Sequence, residues 1–221
     1  MTVQEMLSHV DHTQLKAFAT WADIVSLCEE AMEFHTASVC VPPTYIKKIH
    51  ETYGEKINIC TVVGFPLGYS ATEAKLAEVE KALDDGCNEI DMVINISDVK
   101  NGMYDKVEEE IRTLKRACGT HILKVIIETC YLTEEEKIAM CKAVTNAGAD
   151  FIKTSTGFGT AGATKEDIEL FKKHIGPNVR IKAAGGVSTL EDLEMFLELG
   201  CERIGTSRAV GLCKGLITEG Y

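Results

Sequence analysis

Two lysines occur inside short hydrophobic segments, where a charged side chain needs an explanation. Lys153 lies in Asp150–Gly159 (DFIKTSTGFG), a run of apolar and β-branched residues that leads into a glycine-rich loop. Lys182 lies in the similar segment Val179–Gly186 (VRIKAAGG). Burying an ammonium group is strongly unfavourable unless the group is paired. The two lysines therefore indicate either an ion pair or a chemical role.

Neighbouring amines suit Schiff-base formation with a carbonyl substrate, because only a neutral amine attacks the carbonyl carbon. An isolated lysine has a pKa of about 10.4 and is almost wholly protonated near neutral pH. A second cation about 4 Å away, at an effective dielectric near 20, opposes protonation by about 4 kcal/mol, which is equivalent to about 3 pKa units. We therefore expect one lysine to be the nucleophile and the other to keep it uncharged.

Two further residues repeat the arrangement in which an ionisable side chain directly follows an aliphatic one. They are Asp91 in Glu89–Ile94 and Lys124 in Ile122–Ile127. Asp91 can hold an ammonium group in place and pass protons through water. A structural salt bridge is the alternative, and it would explain a single lysine better than three in the same pattern.

Short β-branched segments alternate with helical segments along the whole chain. This alternation predicts right-handed βαβ units, and eight such units predict an α/β fold of the (β/α)8 TIM-barrel type, as a single domain over residues 1–221. An open, doubly wound sheet is the alternative, because the first strand is weak. The predicted strands are 9–13, 37–41, 57–63, 89–94, 122–127, 151–154, 179–182 and 203–205.

Three glycine-containing turns follow the last three predicted strands, where barrel enzymes place their active sites. Glycine lets backbone amides approach a ligand, and helices opened by Ser188 and Ser207 would complete a phosphate site. Tight-turn geometry is the alternative explanation of the glycines. The predicted substrate-binding residues of these turns are Thr156, Gly157, Gly185, Gly186, Gly205, Ser207 and Arg208.

Composition narrows the class of protein and its partners. The chain has a formal net charge of -11, which argues against nucleic acid or an anionic membrane as a partner. No run of 18 apolar residues occurs, so we expect a soluble protein, and the N-terminus lacks the basic start of a secretory signal, which indicates the cytoplasm. The 9 cysteines include no Cys-x-x-Cys pair and are expected to be reduced thiols.

Neither a metal nor an organic cofactor is predicted. His9 and His12 have an odd spacing within a strand, which places their imidazoles on opposite faces, and no further cluster completes a ligand set. No Gly-x-Gly-x-x-Gly motif opens the chain, so a dinucleotide cofactor is not indicated. The expected chemistry uses the side chains alone.

Eight segments, most of them at the ends of predicted strands, occur together in one known family. On these segments the chain closely resembles, over nearly its whole length, the bacterial deoxyribose-phosphate aldolase family of class I aldolases. The matching segments are Asp11–Thr13, Ala37–Val41, Val63–Gly68, Glu89–Asn95, Leu123–Thr129, Phe151–Phe158, Ile181–Gly186 and Arg203–Ser207.

The resemblance implies a cofactor-free enzyme that interconverts 2-deoxy-D-ribose 5-phosphate with D-glyceraldehyde 3-phosphate and acetaldehyde. Lys153 would form the Schiff base, Lys182 would keep it uncharged, and Asp91 with Lys182 and water would relay protons. The expected partners are therefore small phosphorylated sugars and aldehydes. Family analogy also suggests a homodimer or homotetramer.

Further roles follow from the same resemblance. Lys124 would complete the network of Asp91, Lys182 and water. Asp11 and Thr13 would lie at the mouth of the barrel, beside the substrate hydroxyls. The C-terminal Tyr221 would assist proton transfer.

One departure concerns the phosphate site. The chain has Ser188 where the family commonly has arginine, and Arg208 where the family has a small residue. We expect Arg208 to supply the missing guanidinium.

Two other functions would share parts of this combination of barrel, phosphate loops and buried lysines. A phosphosugar isomerase would have the barrel and the phosphate loops but would form no reducible imine. A phosphosugar-binding barrel without catalysis would gain nothing from a neutral lysine.

Overall fold

Eight parallel strands close into a barrel in strict sequence order, β1 to β8, with β8 pairing β1. The architecture comes from a computed structural model that describes residues 1–214, so the predicted catalytic residue Tyr221 lies outside the described residues. The TIM-barrel prediction is confirmed, and the doubly wound alternative is wrong. The strands are β1 Val10–Thr13, β2 Ser38–Val41, β3 Ile59–Val63, β4 Glu89–Val93, β5 Ile122–Ile126, β6 Phe151–Lys153, β7 Arg180–Ala184 and β8 Arg203–Thr206.

Helix α1 precedes β1, and the other helices follow the strands and cover the outer face of the barrel. Aliphatic residues between the strands and the helices form one large core cluster, so the apolar material lies mainly in this outer layer. Among the described residues, none of the helices is long and apolar enough to cross a membrane. The helices are α1 Val3–Leu7, α2 Trp21–Phe34, α3 Ile46–Tyr53, α4 Thr72–Asp84, α5 Ile96–Lys100, α6 Tyr104–Cys118, α7 Glu134–Ala147, α8 Lys165–His174, α9 Leu190–Glu198 and α10 Ala209–Cys213.

Strand register brings the ionisable residues of the strands to one interior face. Asp91 pairs with Lys124 between β4 and β5, and Lys153 pairs with Lys182 between β6 and β7. Between β5 and β6, however, Lys153 lies opposite Ile126, two residues beyond Lys124. Because side chains alternate along a strand, a shift of two keeps both lysines on the same face. Lys153 is therefore one layer closer than Lys124 to the C-terminal end of the barrel.

The two helices next to the glycine turns begin later than predicted. Thr189, not Ser188, is the N-cap of α9, and its side chain accepts from the amide of Asp192 while that carboxylate accepts from the amide of Thr189. This reciprocal pair of bonds selects threonine as the cap. Helix α10 begins after Arg208, not after Ser207. Both turns are consequently one residue longer, which leaves Ser188 and Ser207 in the loops.

Candidate active site

Asp91 lies at the centre of a buried cluster of charged side chains. One of its oxygens, Oδ2, accepts from the Nζ atoms of Lys153 and Lys182, each at 2.7 Å. The other oxygen, Oδ1, accepts from Lys124 at 2.8 Å. Lys124 and Lys182 have no exposed surface, whereas Lys153 is 3 % exposed. The predicted catalytic residues of the strands are thus brought together around a single carboxylate, with Lys153 nearest to solvent.

Asp11 and Glu89 form a second layer of carboxylates. Asp11 accepts from Lys182 at 2.5 Å and lies 3.6 Å from Lys124, and Glu89 lies 2.7 Å from Lys124. Arg203 joins the two carboxylates, at 2.6 Å from Asp11 and 2.8 Å from Glu89. The resemblance predicted that Asp11 lies at the mouth of the barrel, and this geometry corrects that position. Asp11 is completely buried beneath the site, where Lys182 and Arg203 occupy its oxygens.

Sequence reasoning did not identify Glu89 and Arg203 as members of the site. A signal for each was present, because Glu89 precedes Asp91 by two residues and therefore shares its strand face. Arg203 follows the same alternation in β8, where it pairs with Lys182. In both strands, the charged residues on the inward-facing side of the alternation belong to the site.

The charged cluster consists of Asp11, Glu89, Asp91, Lys124, Lys153, Lys182 and Arg203. These four cations and three carboxylates leave one excess positive charge if every group is ionised. Lys124 has three carboxylates within 4 Å and Lys182 has two, whereas Lys153 has one. Lys153 is therefore the lysine whose positive charge has the least carboxylate support.

Electrostatics keeps the other members of this cluster ionised. Burial alone would raise the pKa of Asp91, but the attraction of the three lysines outweighs it and holds the pKa well below its usual range. Burial alone would lower the pKa of Lys182, but Asp11 and Asp91 raise it above its ordinary value. The pKa of Lys124 is raised in the same way, chiefly by Asp91. The buried carboxylates thus favour the ammonium form of Lys182 beside Lys153.

Acid is expected to destabilise the protein through Asp11 and Asp91. Their folded-state pKa values are depressed, by Lys182 and by Lys124 respectively against the opposing effect of burial. Their contribution is therefore complete above the unfolded pKa near 4 and is lost as pH falls below it, at about 1.4 kcal/mol per pH unit for each group. Urea unfolding at pH values from 7 down to 3 measures this dependence. A free energy of unfolding that is unchanged at pH 3 would contradict it.

A cavity at the C-terminal end of the barrel opens onto Lys153. The residues predicted from the glycine turns meet there, although they come from three different strands and loops. They are separated by up to 52 positions in the sequence, from Thr156 to Arg208, and the barrel closure brings them together with Thr13 of β1. The lining consists of Thr13, Leu15, Lys153, Thr156, Gly157, Ala184, Gly185, Gly186, Val187, Gly205, Thr206, Ser207 and Arg208.

Backbone conformation explains the glycines of the β7 turn. Gly185 and Gly186 both have φ of 77°, a region that side chains other than glycine rarely adopt. A Cβ atom built on Gly162 would lie 2.3 Å from the carbonyl carbon of Gly185, so the β6 loop packs directly against the β7 turn. These glycines therefore let two loops meet at the edge of the cavity.

Two thiols, Cys40 and Cys60, lie beside the charged cluster. The Sγ atom of Cys60 donates to Asp91 at 3.2 Å, and Lys124 donates to the same sulfur at 3.2 Å. Burial raises the pKa of Cys60, so it stays a thiol donor. Cys60 could form a metal site with Cys40 and Asp91, or with Asp11 and Glu89, on distance alone. However, lysines and Arg203 occupy the carboxylates of both sets, and the expectation of a metal-free site stays a prediction.

His9 and His12 point to different parts of the protein, as their spacing predicts. The Nδ1 atom of His9 lies 3.0 Å from the carbonyl oxygen of Glu202. The Nε2 atom of His12 lies 2.8 Å from the carboxylate of Glu30 in α2. Neither imidazole belongs to the charged cluster.

Comparison with known proteins gives a consistent family relationship. A family model described as DeoC/LacD family aldolase matches residues 5–218. A deoxyribose-phosphate aldolase of Clostridium botulinum (strain Alaska E43 / Type E3) is 74% identical over 221 residues, which is the full length of both chains. A deoxyribose-phosphate aldolase of Clostridioides difficile (strain 630) is 55% identical over 219 residues, or 99% of this chain and 100% of the relative.

A solved structure agrees in fold. The structure of a deoxyribose phosphate aldolase from Aeropyrum pernix, described as a unique tetrameric structure, superposes with a TM-score of 0.87 at 29% identity. The match covers 97% of this chain and 92% of that chain. The similarity therefore extends over nearly the whole chain rather than over one motif.

Proposed function

Because the chain belongs to the DeoC/LacD aldolase family, we propose that it is a class I deoxyribose-phosphate aldolase. It reversibly cleaves 2-deoxy-D-ribose 5-phosphate to D-glyceraldehyde 3-phosphate and acetaldehyde, a reaction of deoxyribonucleoside catabolism. The observation that supports this function most directly is Lys153, an almost buried amine with one carboxylate partner that opens onto the cavity.

The cycle starts when the neutral Lys153 amine attacks C1 of the open-chain sugar and forms a carbinolamine. Loss of water gives an iminium ion, which withdraws electrons from the neighbouring carbon-carbon bond. Removal of the proton from the C3 hydroxyl then breaks the C2–C3 bond, and its electron pair forms an enamine on Lys153. The products of this step are D-glyceraldehyde 3-phosphate and the enamine.

The enamine is protonated at C2, and the resulting iminium ion takes up water to release acetaldehyde. Lys182 and Asp91 are positioned to move these protons, because the Nζ atoms of Lys182 and Lys153 both contact Oδ2 of Asp91. Lys124 and Asp11 hold this pair in place through the remaining carboxylate contacts. The iminium ion itself is the electron sink, so the proposed cycle uses no cofactor.

The sugar phosphate would bind against the turns after β7 and β8. The cavity is lined there by Gly185, Gly186, Ser207 and Arg208. Backbone amides and a serine hydroxyl can donate to phosphate oxygens, and a guanidinium can add a charge-assisted contact. In the part of the chain that the structure describes, Arg208 forms no ion pair that would compete with the phosphate.

An Arg208→Ala variant is expected to raise KM for 2-deoxyribose 5-phosphate by about 10- to 100-fold, the scale of one lost hydrogen bond to a charged group. KM for non-phosphorylated 2-deoxyribose should stay the same, because that substrate has no charge for Arg208 to bind. Steady-state kinetics with both substrates measures the difference, and Arg116→Ala on the exposed side of α6 is the matched control. An unchanged KM for the phosphorylated sugar would exclude Arg208 from the phosphate site.

The compartment and the assembly are part of the same proposal. All nine cysteines are free, which fits a reducing compartment such as the cytoplasm. A homodimer or homotetramer is proposed by analogy with the relative from Aeropyrum pernix, whose structure is described as tetrameric. Light scattering at several protein concentrations would measure the assembly.

The proposed function is tested by supplying 2-deoxyribose 5-phosphate and measuring both products. We expect equal amounts of D-glyceraldehyde 3-phosphate and acetaldehyde, without added metal or cofactor and in the presence of a chelator. Conversion to an isomeric sugar phosphate would instead indicate an isomerase. Binding of the sugar without any conversion would indicate a binding protein.

A further inference from the structure

Glu128 is a buried carboxyl group that the proposed cycle does not use. It follows strand β5, is 2 % exposed, and has φ of 52° and ψ of 68°. Within residues 1–214, His35 is the one other non-glycine residue at positive φ. A non-glycine residue is held in this left-handed region only where its surroundings favour it. The contacts of the Glu128 side chain indicate what those surroundings are.

The Glu128 carboxylate accepts from Thr156 at two points. The backbone amide of Thr156 donates to both carboxylate oxygens, at 3.2 and 3.3 Å, and the Thr156 hydroxyl donates to Oε2. The same hydroxyl accepts from the amide of Phe158 at 3.0 Å. Two donors that face one carboxyl group suit an ionised carboxylate, which only accepts. The amide and the hydroxyl of Thr156 are thus committed to Glu128 and to their own loop.

The segment Thr156–Gly162 is enclosed from both sides. On the β5 side, a Cβ atom built on Gly159 would lie 3.1 Å from the carboxyl carbon of Glu128 and 2.9 Å from the sulfur of Cys130. On the β7 side, Gly162 packs against the backbone of Gly185, as described above. The position of Thr156 therefore depends on a fit between Glu128 and the β7 turn.

The same segment lies next to the proposed nucleophile. Thr156 and Gly157 line the cavity together with Lys153, which is three residues before Thr156. When Lys153 is protonated, its charge also acts on Glu128 and opposes the rise in the pKa of Glu128 that burial causes. Glu128 is therefore close to the reacting amine without lining the cavity itself.

We propose that Glu128 is a positioning residue, which holds Thr156 and the loop after β6 in the shape that receives the sugar phosphate. This inference rests on the proposed aldolase function. It also changes the expected role of Thr156, whose side chain would shape the loop rather than contact the substrate. Glu128 acts through Thr156, whereas the imine with acetaldehyde forms on Lys153 of β6, outside this loop.

The test uses Glu128→Gln, Thr156→Val, and the double variant. Glutamine keeps the length of the side chain but removes its negative charge and puts an NH2 donor in place of one of the two acceptor oxygens, and valine removes the hydroxyl at nearly constant shape. We expect each single variant to raise KM for 2-deoxyribose 5-phosphate by about tenfold, the scale of one lost charge-assisted hydrogen bond. The double variant should be no worse than either single variant by more than about twofold, because both changes act on the same contact between Glu128 and Thr156.

Three controls separate positioning from a general loss of structure. Thr156→Ser keeps the hydroxyl and should restore a nearly normal KM. Borohydride should still trap acetaldehyde on Lys153 in every folded variant, because Lys153 itself is retained. Glu136→Gln weakens a similar glutamate–threonine pair, in which Glu136 accepts from the amide of Thr133 at 2.8 Å at the start of α7, and should leave KM unchanged.

Several outcomes would overturn the inference. A normal KM in folded Glu128→Gln, or additive effects of the two substitutions, would show that Glu128 does not act through Thr156. If Glu128→Gln fails to fold, the contrast between Thr156→Val and Thr156→Ser decides, and equal KM values for these two would exclude the contact. A wild-type protein that neither cleaves the sugar nor traps acetaldehyde would instead overturn the proposed function, which distinguishes the two failures.

Discussion

A Lys153→Leu variant is expected to lose cleavage of 2-deoxyribose 5-phosphate by about four to six orders of magnitude, the scale reached when a covalent nucleophile is removed. Without the amine no imine forms, and the carbon-carbon bond loses its electron sink. The rate is measured by the appearance of D-glyceraldehyde 3-phosphate in a coupled assay. The fold should be retained, because removal of Lys153 leaves three cations and three carboxylates in the charged cluster.

Lys153→Arg is the sharper control for this prediction. Arginine keeps a positive charge beside Asp91, but its guanidinium stays protonated and is not a nucleophile. A purely structural ion pair would therefore be rescued by arginine, whereas a Schiff-base lysine would not. Substantial cleavage by Lys153→Arg would contradict the covalent mechanism.

An Asp91→Asn variant is expected to show the largest loss of stability, about 3–5 kcal/mol in the free energy of unfolding, as is typical when one partner of a buried ion pair is removed. Asparagine has nearly the same shape as aspartate but leaves four cations facing two carboxylates. Lys153 and Lys182 would also lose their shared acceptor, so cleavage should fall as well. Urea unfolding at pH 7 measures the stability.

The charge count in the cluster gives this prediction a second test. Adding Lys153→Leu to Asp91→Asn removes one excess cation, so the double variant should be more stable than Asp91→Asn alone. Asp98→Asn is the control, because Asp98 pairs with the exposed Lys106 at the surface. If Asp91→Asn is as stable as the wild type, or if the double variant is less stable still, the charge-balance account is wrong.

The fold and the centre of the site could be predicted from local sequence patterns. Eight β-branched segments separated by helices were sufficient for a barrel, because parallel strands with helical connections have few other arrangements. Asp91, Lys124, Lys153 and Lys182 were recognisable because a charge in an otherwise apolar strand has to face a polar interior. The convergence of the glycine turns followed from the barrel itself, which gathers the C-terminal ends of all strands.

Residues whose roles depend on long-range contacts could not be assigned in this way. The depth of Asp11 is determined by Lys182 and Arg203, which lie more than 170 residues away in the sequence. Glu128 lies after the end of β5, where strand alternation no longer predicts the direction of a side chain. Its left-handed backbone turns the carboxylate towards Thr156, and no sequence pattern indicates that conformation for a glutamate.

Borohydride trapping tests the central claim most directly. The protein is incubated with acetaldehyde, reduced, digested and analysed by peptide mass spectrometry, which measures both the mass of the adduct and its position. We predict one reduced ethyl adduct, located on Lys153, that competes with 2-deoxyribose 5-phosphate and is absent from Lys153→Leu. An adduct on Lys182 or Lys124 instead, or no adduct in a protein that cleaves the sugar, would contradict the assignment of Lys153 as the Schiff-base lysine.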